Sequence, residues 1–487
     1  MRIKIKCASL TQVKADLIVV NFFKGVKKPE GAAAVVDKLL KGQIVKLIND
    51  GEIEGSLGEV TIIHTGGGKF AVVGLGEKDK FGLDQVRVAG AAAIKEAKRI
   101  KAKSVATIVH GSDVGKLDLE AVAQAVVEGS VLGGYEFKGE KSESPKSEIR
   151  VNELIIIEKD NKKISAIKKG AKLGQIVAEA ENRAKDLVNG PSNKITPTYL
   201  ANYARQMSKE VGLKCRILDP KAEGMEAMWA VAKGSKEPAK VVVLGNQKRG
   251  TIALIGKGVT FDAGGISLKP SNKLWEMKTD MAGAAAVIET MRAAVELGIA
   301  KDVFAVIPLT ENMPDGGALK PGDVVSSLSG LTTEVISTDA EGRMILADAI
   351  TYAKEQGAET IVDCATLTGG CLSALGDVAT GLMGNDQELI DKIKRAAEKS
   401  GEKVWQLPLY EEYKDYLKCS VADQKNCTEG RGASPSTGAT FLHKFVGDTS
   451  WAHLDIAGTA YLSKGRGYLA EGATGVPVRT LIEFLNV

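Results

Sequence analysis

Short runs of β-branched and apolar residues alternate along this chain with longer stretches whose apolar positions recur at helical spacing. In the first third, the pattern predicts strands at Leu17–Phe23, Val60–His64, Phe70–Leu75, Ser104–His110 and Glu153–Glu158, with helices at Val86–Ile100 and Leu119–Val131. The opening Met1–Cys7 alternates apolar and polar positions as a half-buried strand does. A long lysine-containing helix is predicted over Ser165–Asn189, and Asn189-Gly-Pro-Ser-Asn193 breaks it. Beyond it, strands are predicted at Val241–Leu244, Ile252–Ile255, Val303–Leu309, Thr333–Ile336, Thr360–Ala365 and Ala452–Ile456. Helices are predicted at Ala282–Leu297, Gly342–Gln356, Gln387–Lys399 and Val476–Leu485.

Strands alternating with helices argue for an α/β protein. The expected organisation is a smaller N-terminal α/β domain over residues 1–162 and a linker helix over 163–190. A larger C-terminal α/β/α domain with a mixed central sheet follows over 191–487. The polar, turn-rich segment Gly139–Ser147 does not end the first domain, because Glu153–Glu158 still reads as a strand.

Composition narrows the class. Of 487 residues, 44% are hydrophobic and 26% charged, which excludes wholesale disorder. The 54 glycines exceed the roughly 7% average and suit tight strand-to-helix turns and close-packed layers. No apolar stretch approaches the ~18 residues of a membrane span, and the N-terminus has no apolar leader core, so a cytoplasmic protein without membrane partners is expected. The six cysteines show no C-x-x-C spacing and read as reduced thiols in a reducing compartment.

The net charge of +4 is unevenly placed. Residues 1–190 carry 32 Lys and Arg against 25 Asp and Glu, a net of +7, and the remainder carries 33 against 36. The lysines of 138–169 are interleaved with glutamates and lack stacking aromatics, which argues against nucleic acid as a partner. A DNA-binding N-terminal part stands as the non-catalytic alternative.

Several chemistries are missing. There are four histidines, no H-E-x-x-H and no G-x-S-x-G. Gly68-Lys69 is followed by Phe70, which removes the hydroxyl of a phosphate loop, and Gly256-Lys-Gly258 lacks the third glycine of a dinucleotide fingerprint.

The unusual residues gather between Lys257 and Arg343. In Ile255-Gly-Lys257-Gly-Val-Thr-Phe-Asp262-Ala-Gly-Gly-Ile-Ser-Leu-Lys269-Pro270, an apolar strand runs directly into a lysine. Either that amine reaches water past the strand's end, or it lies buried with a lowered pKa so that the neutral amine can donate a lone pair. Asp262 before two glycines reads equally as a turn. In Met277-Lys-Thr-Asp280, the aspartate either caps the next helix or binds a ligand. In Ser337-Thr-Asp339-Ala-Glu341-Gly-Arg343, Thr338 and Glu341 have capping-box spacing, but Gly342 in a first helical turn costs up to ~1 kcal/mol. That glycine suggests a close approach of backbone to another group. In an extended lead-in, Asp339 and Glu341 point the same way. Four carboxylates and an amine, with few histidines, suit hard or borderline divalent ions such as Mn²⁺, Mg²⁺ or Zn²⁺, enough for two. Such a site serves amide hydrolysis or phosphoester hydrolysis, and the phosphoesterase remains an alternative.

These segments resemble the cytosolic leucyl aminopeptidases of family M17. The likeness is carried by Gly256–Pro270, Met277–Gly283, Glu311–Pro314, Pro321–Val324, Thr338–Arg343, Ala365–Gly369 and Trp451–Gly458, with Asn189–Asn193 and Thr196-Pro197 at the entry. The first 160 residues match only in α/β character. The resemblance implies that Lys257, Asp262, Asp280, Asp339 and Glu341 hold two divalent ions, Mn²⁺ or Zn²⁺, with Asp262 and Glu341 bridging. It implies that a hydroxide between the ions attacks the first peptide bond while Lys269 stabilises the oxyanion. Arg343, with backbone near Leu367, would hold an auxiliary bicarbonate acting as general base. Met277, Thr366, Gly369 and Ala457 would line the pocket for an apolar first side chain such as leucine. Short peptides with a free N-terminus are the implied substrates, and a homohexamer, a dimer of trimers, the implied assembly. Ser337, Met344, Ala263 and Ala460 depart from the residues usual in the family, and none of these positions is a ligand.

Overall fold

The computed structural model describes residues 1–66, 68–111, 117–140, 150–428, 430 and 432–486. Residues 141–147 of the polar Gly139–Ser147 segment lie outside the described residues. The chain divides into two compact units, Met1–Asn182 with Lys464–Glu471, and Arg183–Ser463 with Gly472–Val487. The division falls inside the Ile164–Asn189 helix.

In the first unit, the described strands form a six-stranded sheet in the order Arg2–Cys7, Glu153–Glu158, Ser104–Thr107, Leu17–Phe22, Gly68–Gly74 and Val60–Thr65. Every neighbouring pair is parallel except the last. Period-two alternation sends Leu17, Val19, Ala71, Val73 and Val105 to one core, with the helices Leu83–Arg99 and Leu119–Gly133. Ile18, Val20, Phe22 and Val72 go to the other core, with the helix Gly31–Leu39. Burial on both faces explains why these strands read as continuous apolar runs. The strand expected over Ser104–His110 stops at Thr107, where His110 folds back, buried, between Thr107 Oγ1 (3.3 Å) and Asn21 Nδ2 (3.4 Å).

In the second unit, a nine-stranded mixed sheet is built on the order Val404–Gln406, Thr380–Gly384, Ser450–Asp455, Ala358–Ala365, Thr251–Gly256, Val303–Asn312, Lys240–Gly245 and Cys215–Leu218. The four strands from Ser450–Asp455 to Val303–Asn312 run parallel, so their carboxyl ends share one edge of the sheet. The ninth strand, Gly258–Asp262, pairs parallel beyond them, with Asp262 beside Asn312. Open α/β sheets place their sites at such carboxyl ends.

Two buried helices face this edge. Ala282–Leu297 opens on small residues, and a Cβ on Gly283 would stand 2.2 Å from the Cys364 carbonyl oxygen. Glu341–Glu355 is buried from Glu341 through Ala353. The class is therefore α/β with mixed sheets and a larger second unit, as the pattern predicts.

Candidate active site

Each proposed ligand leaves the sheet at its carboxyl edge or enters a helix there. Lys257 directly follows the Thr251–Gly256 strand, Asp262 ends Gly258–Asp262, Asp280 precedes Ala282–Leu297, and Glu341 opens Glu341–Glu355. Glycine makes the approach possible. A Cβ on Gly342 would lie 2.6 Å from Lys257 Cε and 2.7 Å from Nζ, so this is the close contact that its place in the helix required. Gly264, at φ 90°, lets the loop turn back beside Asp339, whose Oδ1 is 3.0 Å from the position of a Cβ there.

Lys257 is 2% exposed, so its amine does not reach water. Its Nζ donates to Asp280 Oδ1 at 2.7 Å and to the Thr366 carbonyl at 2.9 Å, and lies 2.8 Å from Glu341 Oε1. Lys269 Nζ stands 2.8 Å from Asp262 Oδ2 and 2.5 Å from Asp339 Oδ1. Two ammonium groups thus each sit between two carboxylates. Asp262, Asp280 and Glu341 bring ligand oxygens within 4.8 Å of one another, all three side chains buried. Asp339, with its side chain 36% exposed, is outside that tight group and joins it through Lys269.

The capping alternatives for these acids are not realised. Asp280 does not cap a helix; Met281 occupies that position without a side-chain bond. Thr338 and Glu341 form no capping box: Ala340 is the N-cap, and the Thr338 hydroxyl donates to the Gly264 carbonyl while accepting from Ser267 N. Asp262 does turn the chain, accepting from Gly264 N at 2.9 Å, yet its other oxygen remains for Lys269.

Burial opposes the Lys257 charge, but Asp280, Glu341 and Asp262 outweigh it and hold its pKa above the ordinary lysine value. The lowered pKa expected of a buried lone-pair donor is therefore absent among these carboxylates alone. Burial raises Asp280 well above the usual carboxylate range, and raises Asp339, with Asp262 adding to it, to about 6. Asp280 Oδ2 is buried without a hydrogen-bond partner among the described residues, and Glu341 Oε1, also buried, has the Lys257 ammonium at 2.8 Å as its contact. Buried oxygens of this kind, on acids that outnumber the nearby ammoniums by two, are what divalent cations satisfy. The donor set fits a metal.

Arg343 is 5% exposed; its Nη1 donates to the Asn426 carbonyl at 2.7 Å, and its Nε has no partner among the described residues. The Leu367 N–H is engaged by Asp455 Oδ1 at 3.2 Å. Thr366 Oγ1 donates to Asp280 Oδ1 at 2.7 Å, and Ala457 N donates to Asp455 Oδ1. Met277 is half-buried, and a Cβ on Gly369 would meet nothing within 4 Å, leaving open space beside it.

Sequence reasoning assigned no role to three residues that the structure places here. Asn312 Nδ2 donates to Asp262 Oδ1 at 2.8 Å and to the Thr338 carbonyl at 3.0 Å, tying two ligand loops together. Asp455 holds the N–H groups of Leu367, Thr368 and Ala457. Asn426 bonds Ile336, Ser337 and Arg343. The first two carried a signal, a polar group closing an apolar strand; Asn426, in an irregular polar stretch, carried none.

Comparison with known proteins follows the same lines. The catalytic-domain profile of the cytosol aminopeptidase family, Peptidase M17, matches residues 182–482, and the family's N-terminal-domain profile matches 19–144. A probable cytosol aminopeptidase of Geotalea uraniireducens is 43% identical, covering 93% of this chain and 92% of the relative. One from Geobacter sulfurreducens is 40% identical, covering 100% and 99%. Among solved structures, a tomato leucine aminopeptidase mutant superposes with a TM-score of 0.89 at 31% identity, covering 100% of this chain and 96% of that one. The bottromycin maturation enzyme BotP in complex with Mn gives 0.86 at 34%, covering 97% and 99%.

Proposed function

The chain belongs to the cytosol aminopeptidase family, a family of exopeptidase hydrolases, and from that premise we propose a metal-dependent leucyl aminopeptidase acting on short peptides and amino-acid amides. The observation that carries this reading is the buried acid cluster of Asp262, Asp280 and Glu341, with Asp280 Oδ2 left without a partner among the described residues.

Lys257, Asp262, Asp280, Asp339 and Glu341 would hold two divalent ions, Mn²⁺ or Zn²⁺. Bound there, such a pair supplies Lewis acidity toward a peptide carbonyl and lowers the pKa of water. The chain's own groups do the rest. Lys269, with its side chain 22% exposed, is the more accessible of the two ammoniums and lies beside the cluster. Once its carboxylate partners serve cations, its ammonium is free to face the oxyanion that develops on the substrate. Arg343 would hold bicarbonate through its unpartnered Nε. Because Leu367 N–H already bonds Asp455, Arg343 would be that anion's main donor.

Met277, Thr366, Gly369 and Ala457 would line the pocket for the first side chain, and their small or apolar character favours leucine over charged residues. Two domains joined by the 163–190 helix, a cytoplasmic location and a homohexamer complete the proposal.

The test is a leucinamide assay paired with metal analysis. Protein stripped by a chelator is expected to lose hydrolysis, and Mn²⁺ or Zn²⁺ to restore it with about two ions per chain. Full activity in metal-free protein would reject the reading.

A further inference from the structure

Away from the acid cluster, the second unit holds a cleft of about 670 Å³ between the segment around Glu411–Leu417 and the helix Ser434–Val446. This is within the range of small-molecule sites. Its wall includes Lys414, Lys418, Lys444, His443, Asp448 and Gln424. Gln424 is 3% exposed, and its Nε2 has no hydrogen-bond partner among the described residues. A buried amide donor left unmade is unfavourable, and native structures rarely keep one without a use.

The charges around it point one way. Among the described residues, Lys414 and Lys418 pair with the exposed Glu411 and Asp415, contacts that are weak in water. Lys444 Nζ donates to the Asp423 carbonyl at 2.8 Å. The Asp423 carboxylate accepts from Thr332 N and Oγ1, so its charge is already engaged. Burial, with Lys414 adding to it, lowers His443, leaving a neutral imidazole at neutral pH. Among the described residues that line the cleft, three are lysines, and of its two acids Asp423 is engaged and Asp448 is left free, with the buried Gln424 amide in the same wall.

We propose that this cleft binds a small oxyanion-bearing metabolite, a carboxylate or a phosphate, and that its occupancy reaches Arg343. Two residues beyond Gln424, Asn426 accepts from Arg343 Nη1 at 2.7 Å and donates to the Ser337 carbonyl at 2.7 Å. On the other wall, the helix that carries Lys444 carries Gly438 six residues earlier, where a Cβ would lie 3.3 Å from Arg343 Nη2. An anion drawing on Gln424 and Lys444 pulls both elements that pack Arg343. The link to catalysis rests on the role proposed for Arg343; the binding itself does not.

The experiment titrates the metal-loaded full chain by calorimetry with inorganic phosphate and, separately, with succinate. Binding of one of them near one equivalent per chain is expected, and whichever binds more tightly identifies the source. Gln424→Leu and Lys414→Ala are each expected to weaken binding at least tenfold, with thermal melting of the ligand-free proteins unchanged or raised for Gln424→Leu. Their leucinamide turnover without the anion should equal that of the parent. Saturating anion should change kcat in the parent by at least twofold, and not in the variants. Absence of binding by both probes, or equal binding in parent and variants, overturns the site. Binding without any change in kcat overturns the link to Arg343, and an inactive parent that still binds refutes only the aminopeptidase reading.

Discussion

In the N-terminal unit, the Arg87 guanidinium meets the Glu128 carboxylate at 2.6 Å with both side chains 1% exposed, and Gln124 Nε2 donates to the other Glu128 oxygen at 2.7 Å. Around Lys257 and Lys269, two ammoniums face four carboxylates, and Asp280 Oδ2 has no hydrogen-bond partner among the described residues. Both places bury cations against acids. The first pairs one cation with one acid across helices Leu83–Arg99 and Leu119–Gly133; the second has two more acids than ammoniums. A buried ion pair alone says little about function, because desolvation offsets much of its attraction. A buried surplus of acids is relieved either by protons, which is why Asp280 and Asp339 are raised, or by a further cation, and that distinguishes a site from a strut.

The widest separation of the two regions is expected from removing one acid at each. Asp262→Asn takes a ligand from the surplus cluster, and metal content and leucinamide turnover should fall together. The loss expected is at least ~10³-fold in turnover, about 4 kcal/mol at 1.36 kcal/mol per decade. Stability of the metal-free protein should hold. Turnover within threefold of the parent would end the metal assignment. Glu128→Ala does the reverse: it removes the carboxylate that the buried Arg87 guanidinium meets, and denaturant unfolding should show a loss of about 3–5 kcal/mol. Turnover per folded molecule should stay unchanged, so a selective loss of kcat there would mean that Arg87 and Glu128 are more than structural.

How much of this was legible in the sequence depends on what kind of information each feature needs. The central strands were readable because burial on both faces leaves uninterrupted Val-Ile-Leu runs, and Glu153–Glu158 and Ala282–Leu297 match residue for residue. The helix Gly31–Leu39 was not, because Glu30 precedes it without capping and no Ser, Thr, Asp or Asn marks the start. Pro197–Val211 did carry a start signal, the Thr196 cap followed by proline, which the pattern alone left unused. At the site, residue types gave the chemistry, but each acid taken singly was equally a cap or a turn. Only convergence separates these readings, and convergence is a property of the sheet edge. Asn312 and Asn426 bridge loops distant in sequence, so no local pattern marks their partners.

Gly342→Ala probes the same surplus cluster by shape, with a smaller effect. Alanine is intrinsically better in a helix by ~1 kcal/mol. Its Cβ would stand 2.6 Å from Lys257 Cε, and Lys257 cannot swing away freely, being held by Asp280, Glu341 and the Thr366 carbonyl. Overpacking costs about 1–3 kcal/mol, so the net expected is a loss of about 0–2 kcal/mol in unfolding free energy with reduced metal content. A gain in stability with full metal loading would show that the glycine is not there to admit Lys257.

The finest test is electrostatic. Asp339 has its folded-state pKa raised to about 6 by burial and by Asp262, against roughly 3.9 in an unfolded chain. In metal-free protein, its contribution is therefore fully present below about pH 4 and is lost as the pH rises toward 6, because ionising it adds to an existing surplus. Asp339→Asn removes that titration while leaving the other acids in place. The melting temperature of the parent minus that of the variant, measured in chelator, should fall from pH 4 to pH 6 and then level. Loading with Mn²⁺ or Zn²⁺ should abolish the fall, since the carboxylate then gains a counter-ion that asparagine cannot hold as well. A difference that stays flat across pH 4 to 6 in chelator would mean that Asp339 does not feel the buried acids, and that the surplus is confined to Asp262, Asp280 and Glu341.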